Sequence, residues 1–197
     1  MSRKILGIDL SGRDGNPTGF CLIFGGTVMC VGEFRTLKWL LEYILMLRPD
    51  IVAIDAPLGL PKRGMFRDCD IMLKKHGISP LSPMLPSMRM LVNRALRLVG
   101  FLKENRIAYI ETFPAGALRV LGYKRKPKSF TERRKYFMEI IRMFDLRNLV
   151  DPYRLSKDEF DAFLCALAGY CFIRRTYMAF SGEECSVILP SAPSYQS

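Results

Sequence analysis

Two apolar runs that each stop at an aspartate set the strongest limit on how this chain can fold. They are Lys4-Ile5-Leu6-Gly7-Ile8-Asp9 and Ile51-Val52-Ala53-Ile54-Asp55. A strand with one solvated face alternates apolar and polar residues; one that is apolar at nearly every position is covered on both faces. Both runs therefore read as central strands of a sheet flanked by helices. In such sheets the working crevice lies outside the carboxyl ends of the strands, where Asp9 and Asp55 fall. A third carboxylate, Asp161, sits in the most apolar helical stretch of the chain. An ionised carboxylate withdrawn from water is costly unless its charge is offset, either by bound metal ions or by basic side chains.

The remaining elements follow from spacing and punctuation. Residues 4–10 form the first strand and residues 11–17 a turn-rich loop. Thr18–Phe24 and Thr27–Phe34 are β-branched apolar runs joined by Gly25-Gly26, a hairpin signal. Thr36 caps a helix to about Leu47, whose apolar residues recur at helical spacing. A fourth strand covers residues 51–54 and a fifth Ala108–Thr112, with a short helix over 68–76 and a longer one from Ser87 to about Asn105 between them. Helices over 115–121 and 131–144 come next. The last begins at Ser156, which with Glu159 fits a capping box, and runs to about Arg175. Residues 177–189 are read as an additional strand. The order is that of a mixed α/β sheet of five strands, in which antiparallel hairpin strands lead into parallel ones. The expectation is one domain over residues 1–189 and a small, polar, disordered tail over 190–197.

At 197 residues the chain has length for one full core. Its net charge of +11 points to a polyanionic partner, nucleic acid first. Six cysteines with no C-x-x-C spacing and a single histidine, His76, argue against a structural zinc site. The cysteines read as reduced core residues of a cytoplasmic protein, with disulfides left open for a hyperthermophile's chain. The apolar segment over 160–173 is too short to span a bilayer and contains Asp161, so no membrane role is expected. The oligomeric state stays open, a homodimer being one option.

Carboxylates at two strand ends and on a packed helix are hard oxygen ligands suited to Mg²⁺ or Mn²⁺. Paired ions about 4 Å apart can activate water and stabilise the leaving oxygen of a phosphodiester. Asp9, Asp55 and Asp161 are the leading catalytic and metal-binding candidates. Asp158, three residues before Asp161, shares its helical face, although a first-turn acid is also favoured by the helix dipole alone. Glu111, at the end of the fifth strand, is either a further catalytic acid or an arginine's partner. Arg89, Asn93 and Arg97 recur every four residues as a polar stripe suited to phosphates. Arg67 follows the second aspartate strand, and Lys124 belongs to a basic loop with Arg125, Lys126 and Lys128. These five, Arg67, Arg89, Asn93, Arg97 and Lys124, are the candidate substrate-binding residues.

The element order and the acids at Asp9, Asp55 and Asp161 resemble the ribonuclease H-like fold through nearly all of residues 3–175. The Asp158–Asp161 pair is similar to the late-helix acids of Holliday-junction resolvases. A closer resemblance is to the predicted nucleases of that fold called domain of unknown function 429. It is carried by Gly7-Ile8-Asp9, Ala53-Ile54-Asp55-Ala56-Pro57-Leu58-Gly59, Arg67-Asp68-Cys69-Asp70, Met88-Arg89, Glu111-Thr112-Phe113-Pro114 and Asp158-Glu159-Phe160-Asp161-Ala162. The resemblance implies a metal-dependent nuclease acting on DNA or RNA. Two alternatives stand beside it. One is a nucleic-acid-binding protein without catalysis, its acids held by Arg67 or Arg89. The other is a nucleotide-dependent phosphotransferase, suggested by Asp9-Leu10-Ser11-Gly12 and Thr18-Gly19, although this chain has room for only one of the two cores such enzymes use.

Overall fold

The computed structural model describes residues 2–193. Its centre is an eight-stranded sheet. In chain order the strands are β1 (Lys4–Asp9), β2 (Thr18–Phe24), β3 (Thr27–Phe34), β4 (Ile51–Asp55), β5 (Ala108–Thr112), β6 (Arg147–Asn148), β7 (Tyr177–Ser181) and β8 (Ser186–Pro190). Across the sheet they run β6-β3-β2-β1-β4-β5-β8-β7. β1, β2 and β3 are antiparallel neighbours, and β4 and β5 lie parallel to β1. The five strands expected from the sequence are present and mixed as anticipated. Three more extend the sheet. β6 is a two-residue strand beside β3. The segment read as one extra strand is a hairpin, β7 and β8, and Pro190 closes β8 rather than opening a tail. Residues 194–197 of that expected tail lie outside the described residues.

Helices cover both faces. α1 (Leu37–Leu47) and α3 (Pro86–Glu104) pack Leu40, Ile44, Ala95 and Leu98 against Leu6, Ile8, Val52 and Ile54. On the opposite face lie α4 (Pro114–Val120), α5 (Phe130–Met143) and α6 (Lys157–Ile173). α2 (Asp68–Lys75) closes a smaller cluster with the β7–β8 hairpin through Cys69, Leu73, Phe180, Val187 and Leu189. Among the described residues no helix is long and apolar enough to cross a membrane.

α6 is the central helix. Nearly every residue from Phe160 to Cys171 is buried, because the sheet takes one side and α5 the other; Phe137 of α5 meets Phe163 edge-on at 4.6 Å between ring centres. Ser156 accepts from the Glu159 N–H at 3.1 Å and Glu159 from the Ser156 N–H at 2.7 Å, the reciprocal cap read from the sequence. Glycines let the helix lie unusually close to the strands. A β-carbon at Gly7 would overlap Ala162 O and Ala166 N, and one at Gly19 would overlap Asp158 O. From the helix side, one at Gly169 would meet Ile5 Cγ2 at 2.7 Å.

The cysteines depart from expectation. Cys69 of α2 and Cys185 of the hairpin are joined as a disulfide, while Cys21, Cys30, Cys165 and Cys171 are free. The partners are 116 residues apart in sequence and meet only because β8 enters the sheet beside β5.

Overpacking against a helix backbone, which cannot rotate aside, falls at or above the top of the usual range of about 1–3 kcal/mol. Gly7→Ala is therefore expected to lower stability by about 3 kcal/mol or more, a loss of very roughly 6–12 °C in melting temperature for a chain of this size. Gly100→Ala, on α3 with open space around it, is expected to raise stability by about 1 kcal/mol. Thermal and denaturant unfolding of the two variants checks both signs.

Candidate active site

The parallel register pairs Asp9 directly with Asp55, and Asp55 with Thr112. Side chains alternate across a strand. Ile5, Ile51 and Ala53 contact α6 at Gly169 and Gly7 lies under Ala162, so Asp9, Asp55 and Thr112 share the α6 face at the ends of three adjacent strands. α6 enters over that row. Its first turns place Asp158 and Asp161 there, with Asp161 only 2% exposed and Asp158 half-buried and near enough to Asp9 for its charge to raise the proton affinity of the Asp9 carboxyl. The four acids nominated from β1, β4 and α6 are thus gathered at one place.

Their electrostatics are those of crowded, desolvated anions. Burial, reinforced by the charges of Asp55, Asp161 and Asp158, pushes the Asp9 carboxyl up to about 9. Burial likewise raises Asp55 to about 7, with Lys126 opposing and Asp161 adding to the rise. Asp158 is raised by burial and by Glu33 and Asp161, against Lys157. The countercharge comes from Lys126, whose Nζ lies 2.8 Å from Asp161 Oδ2. Burial works against the ammonium, but Asp161, Asp55 and Asp9 outweigh it and hold its pKa above the ordinary value. A cation is therefore already accommodated among these carboxylates, and an all-oxygen donor set is the chemistry that hard divalent ions take. The carboxylate oxygens have not closed to metal-ligand spacing: among the described residues, the single group of three or more ligating side chains within 4.8 Å of one another is Asp68, Cys69 and Cys185.

Glu111 belongs to a different network. Its strand position is in phase with Ile54, not Asp55, so it projects toward the other face of the sheet. There it accepts from Arg67 Nη1 at 2.8 Å and Nη2 at 2.6 Å, and from the Leu58 N–H at 2.9 Å. Asp70 takes the rest of the guanidinium, from Nε at 3.0 Å and Nη2 at 2.9 Å. Arg67 is 1% exposed. Of the two readings of Glu111, the structure thus shows the arginine's partner and not a member of the acid cluster, and it corrects the expectation for Arg67, which is buried and held by two carboxylates rather than free to meet a substrate. Arg89, Asn93 and Arg97 line the exposed side of α3, and Lys124 is exposed on the loop that carries Lys126. In the sequence Lys126 is one of four basic residues in a loop, with nothing to distinguish it from Lys124, Arg125 and Lys128. Its ion pair joins residues 35 apart, and no local pattern marks such a contact.

Between the strand ends and α3 lies a cavity of about 200 Å³, bordered by Asp9, Asp55 and Thr112. In the loop after β1, the Ser11 hydroxyl lies 2.9 Å from Thr18 Oγ1 and within hydrogen-bonding distance of Arg13 O and Asn16 O.

RuvC of Thermus thermophilus, in a complex with Holliday junction substrate, is similar at a TM-score of 0.51 and 10% identity, over 87% of this chain and 96% of that one. A second Thermus thermophilus RuvC structure aligns at a TM-score of 0.49 and 10% identity, over 88% and 97%. No curated protein matches. At 10% identity the first likeness is one of fold alone, and it agrees with the ribonuclease H-like architecture of the sheet, the strand-end aspartates and the late helix. A family model covers residues 7–180, from the glycine under α6 to Phe180 of the hairpin strand β7. The chain belongs to the family described as Protein of unknown function (DUF429), with a ribonuclease H-like fold.

Proposed function

We propose that this protein is a metal-dependent nuclease that hydrolyses phosphodiester bonds of DNA or RNA. The observation that carries the reading is the set of acids from β1, β4 and α6 gathered around one ammonium, at the end of the sheet where parallel α/β folds do chemistry. Asp9, Asp55 and Asp161 would hold Mg²⁺ or Mn²⁺, with Asp158 at the rim. Such ions lower the pKa of bound water and stabilise the charge that develops on the leaving oxygen.

The remaining work falls to the chain's own groups. Lys126, which sits on a loop beside Asp161, would offer its ammonium to a phosphate once the carboxylates held an ion. Asp158, half exposed and within reach of Asp9, is placed to pass a proton between the buried acids and solvent. Lys124, Arg89, Asn93 and Arg97 are exposed and would position the nucleic-acid backbone. That the protein bound to Holliday junction substrate shares the fold supports a nucleic-acid substrate. A second reading, binding without catalysis, draws on the Lys126–Asp161 pair, which offsets one acid without any ion.

The expected results separate the two. With Mg²⁺ or Mn²⁺, labelled single-stranded, duplex, hybrid and branched substrates are assayed for cleavage, and Asp9→Asn, Asp55→Asn and Asp161→Asn should each lower it more than about a hundredfold. Absence of cleavage by the wild type, or its persistence in Asp9→Asn, would refute the nuclease reading. Arg97→Ala and Lys124→Ala should weaken binding evenly across sequences and flatten its salt dependence.

Stability offers an independent check. Asp9 and Asp55 hold their protons more tightly in the folded chain than the ordinary aspartate value of 3.8. The stability they contribute is complete below about pH 4. It is lost as the pH rises through about 7 for Asp55 and about 9 for Asp9. Metal-free Asp9→Asn is therefore expected to melt higher than wild type at pH 8, the difference vanishing near pH 4. Mn²⁺ should raise the melting temperature of wild type and not of Asp9→Asn. Glu111→Gln should act in the opposite sense, costing about 3–5 kcal/mol because it leaves Arg67 short of a buried partner. Melting curves with EDTA and with Mn²⁺ report all three.

A further inference from the structure

The cavity between the strand ends and α3 is not explained by the acid cluster alone. Asp9 and Asp55 border one side of it. The rest is largely apolar, with walls from Leu10, Pro57, Leu81, Leu91 and Phe113. Leu81 is 64% exposed and marks the mouth. The charged groups at its base, Arg67, Asp70 and Glu111, are paired with one another in four side-chain hydrogen bonds. One polar group there is unused. Thr112 is 2% exposed, lines the cavity, and its hydroxyl oxygen is buried without a hydrogen-bond partner. A buried unpaired hydroxyl costs about 1–3 kcal/mol, so it marks a position that a water or a ligand atom would complete.

We propose that this cavity receives a single unstacked nucleobase of the substrate, held between its apolar walls and read by the Thr112 hydroxyl. The inference rests on the nuclease reading for its setting, and it names what that reading leaves open: the enzyme engages a nucleotide whose base is out of the helix. Three features select this occupant. At about 200 Å³ the cavity is below the roughly 300–1,000 Å³ of sites that enclose drug-sized ligands, so it admits one ring system and not a base pair. Its apolar walls suit the faces of a flat heterocycle, and a single hydroxyl suits an edge group. Its position beside Asp9 and Asp55, in a chain of net charge +11, places a base there when its phosphate lies at the carboxylates. A hydroxyl both donates and accepts, so Thr112 discriminates among bases by position. Substrates with an unpaired or easily extruded nucleotide would be favoured, since extruding a paired base costs a few kcal/mol.

The test is calorimetric titration of the full chain, in Mg²⁺, with the 5′-monophosphates of adenosine, guanosine, cytidine, uridine and thymidine. Ribose 5-phosphate serves as the probe without a base. At least one nucleotide should bind tenfold or more tightly than ribose 5-phosphate. Thr112→Val keeps the shape and removes the unpaired oxygen. It should weaken the preferred nucleotide about fivefold, leave ribose 5-phosphate unchanged and not lower the melting temperature. Leu91→Trp, with folding verified by its melting curve, should abolish the advantage of a base. Equal binding of ribose 5-phosphate and all five nucleotides, or a Thr112→Val variant with unaltered affinities, would overturn the proposal. The outcome is separable from that of the cleavage assay. Base-dependent binding without cleavage upholds the pocket and refutes the nuclease, and cleavage without base-dependent binding does the reverse.

Discussion

The close approach of α6 to β1 and β2 is the constraint on which the site depends. Gly7 lies directly under Ala162 and Ala166, Gly19 under Asp158, and Gly169 of the helix over Ile5. At all three contacts a side chain is missing where one would prop the helix away from the sheet. With the helix against the strands, residues one and two turns into it arrive level with the strand ends. Asp161 is delivered into the core beside Asp9 and Asp55, and Asp158 stands at the edge of the same group. The apolar length of α6 serves this placement: burial of Phe160, Phe163, Leu164 and Leu167 offsets the desolvation of one aspartate in the middle of the run.

Strand alternation then divides the acids into two networks with different duties. Asp9, Asp55 and Thr112 share one face; Glu111, a single residue before Thr112, faces the other. On the α6 face the negative charge exceeds the positive charge available, and Asp9 and Asp55 stay under strain that protons or cations relieve. On the other face Arg67 meets two carboxylates in five hydrogen bonds, counting the backbone N–H of Arg67 to Asp70. That network is finished, and a substrate would have to dismantle it to use any of its members. Incomplete compensation is frequent at working sites, and complete compensation is frequent in purely structural networks. Two acids at the ends of neighbouring strands here fall on opposite sides of that line.

The sequence made the central strands legible because continuous apolar runs have few other uses, and the α6 cap because its two hydrogen bonds lie within four residues. It also contained the phase of Glu111. Asp55 ends its strand, and Thr112, not Glu111, pairs with it; reading period rather than strand-end position would have separated the two. What remained hidden depends on where distant segments meet. The β7–β8 hairpin joins β5 through Glu111 and Val187 alone, and two antiparallel strands of five residues look much like one longer strand before their turn is placed. Lys126 reaches Asp161, and Cys69 reaches Cys185, only after the sheet order is known.

That hairpin is also what completes the floor of the cavity. Asp68 accepts from the N–H groups of Cys69 at 2.8 Å and Glu184 at 2.9 Å, and Glu184 accepts from those of Lys62 at 2.6 Å and Asp68 at 3.0 Å. With the Cys69–Cys185 bond, these contacts fasten the hairpin to the start of α2, next to Arg67 and Asp70. Val187 of β8 reaches the cavity itself. The loop between β4 and α2 is thereby tied at both ends, by Glu111 at Leu58 and by Glu184 at Lys62. A segment rich in proline and glycine, which has little regular structure of its own, becomes a fixed wall opposite α3. The cavity beside the acids therefore has its shape before any ligand arrives, and binding there need not repay the entropy of ordering that wall.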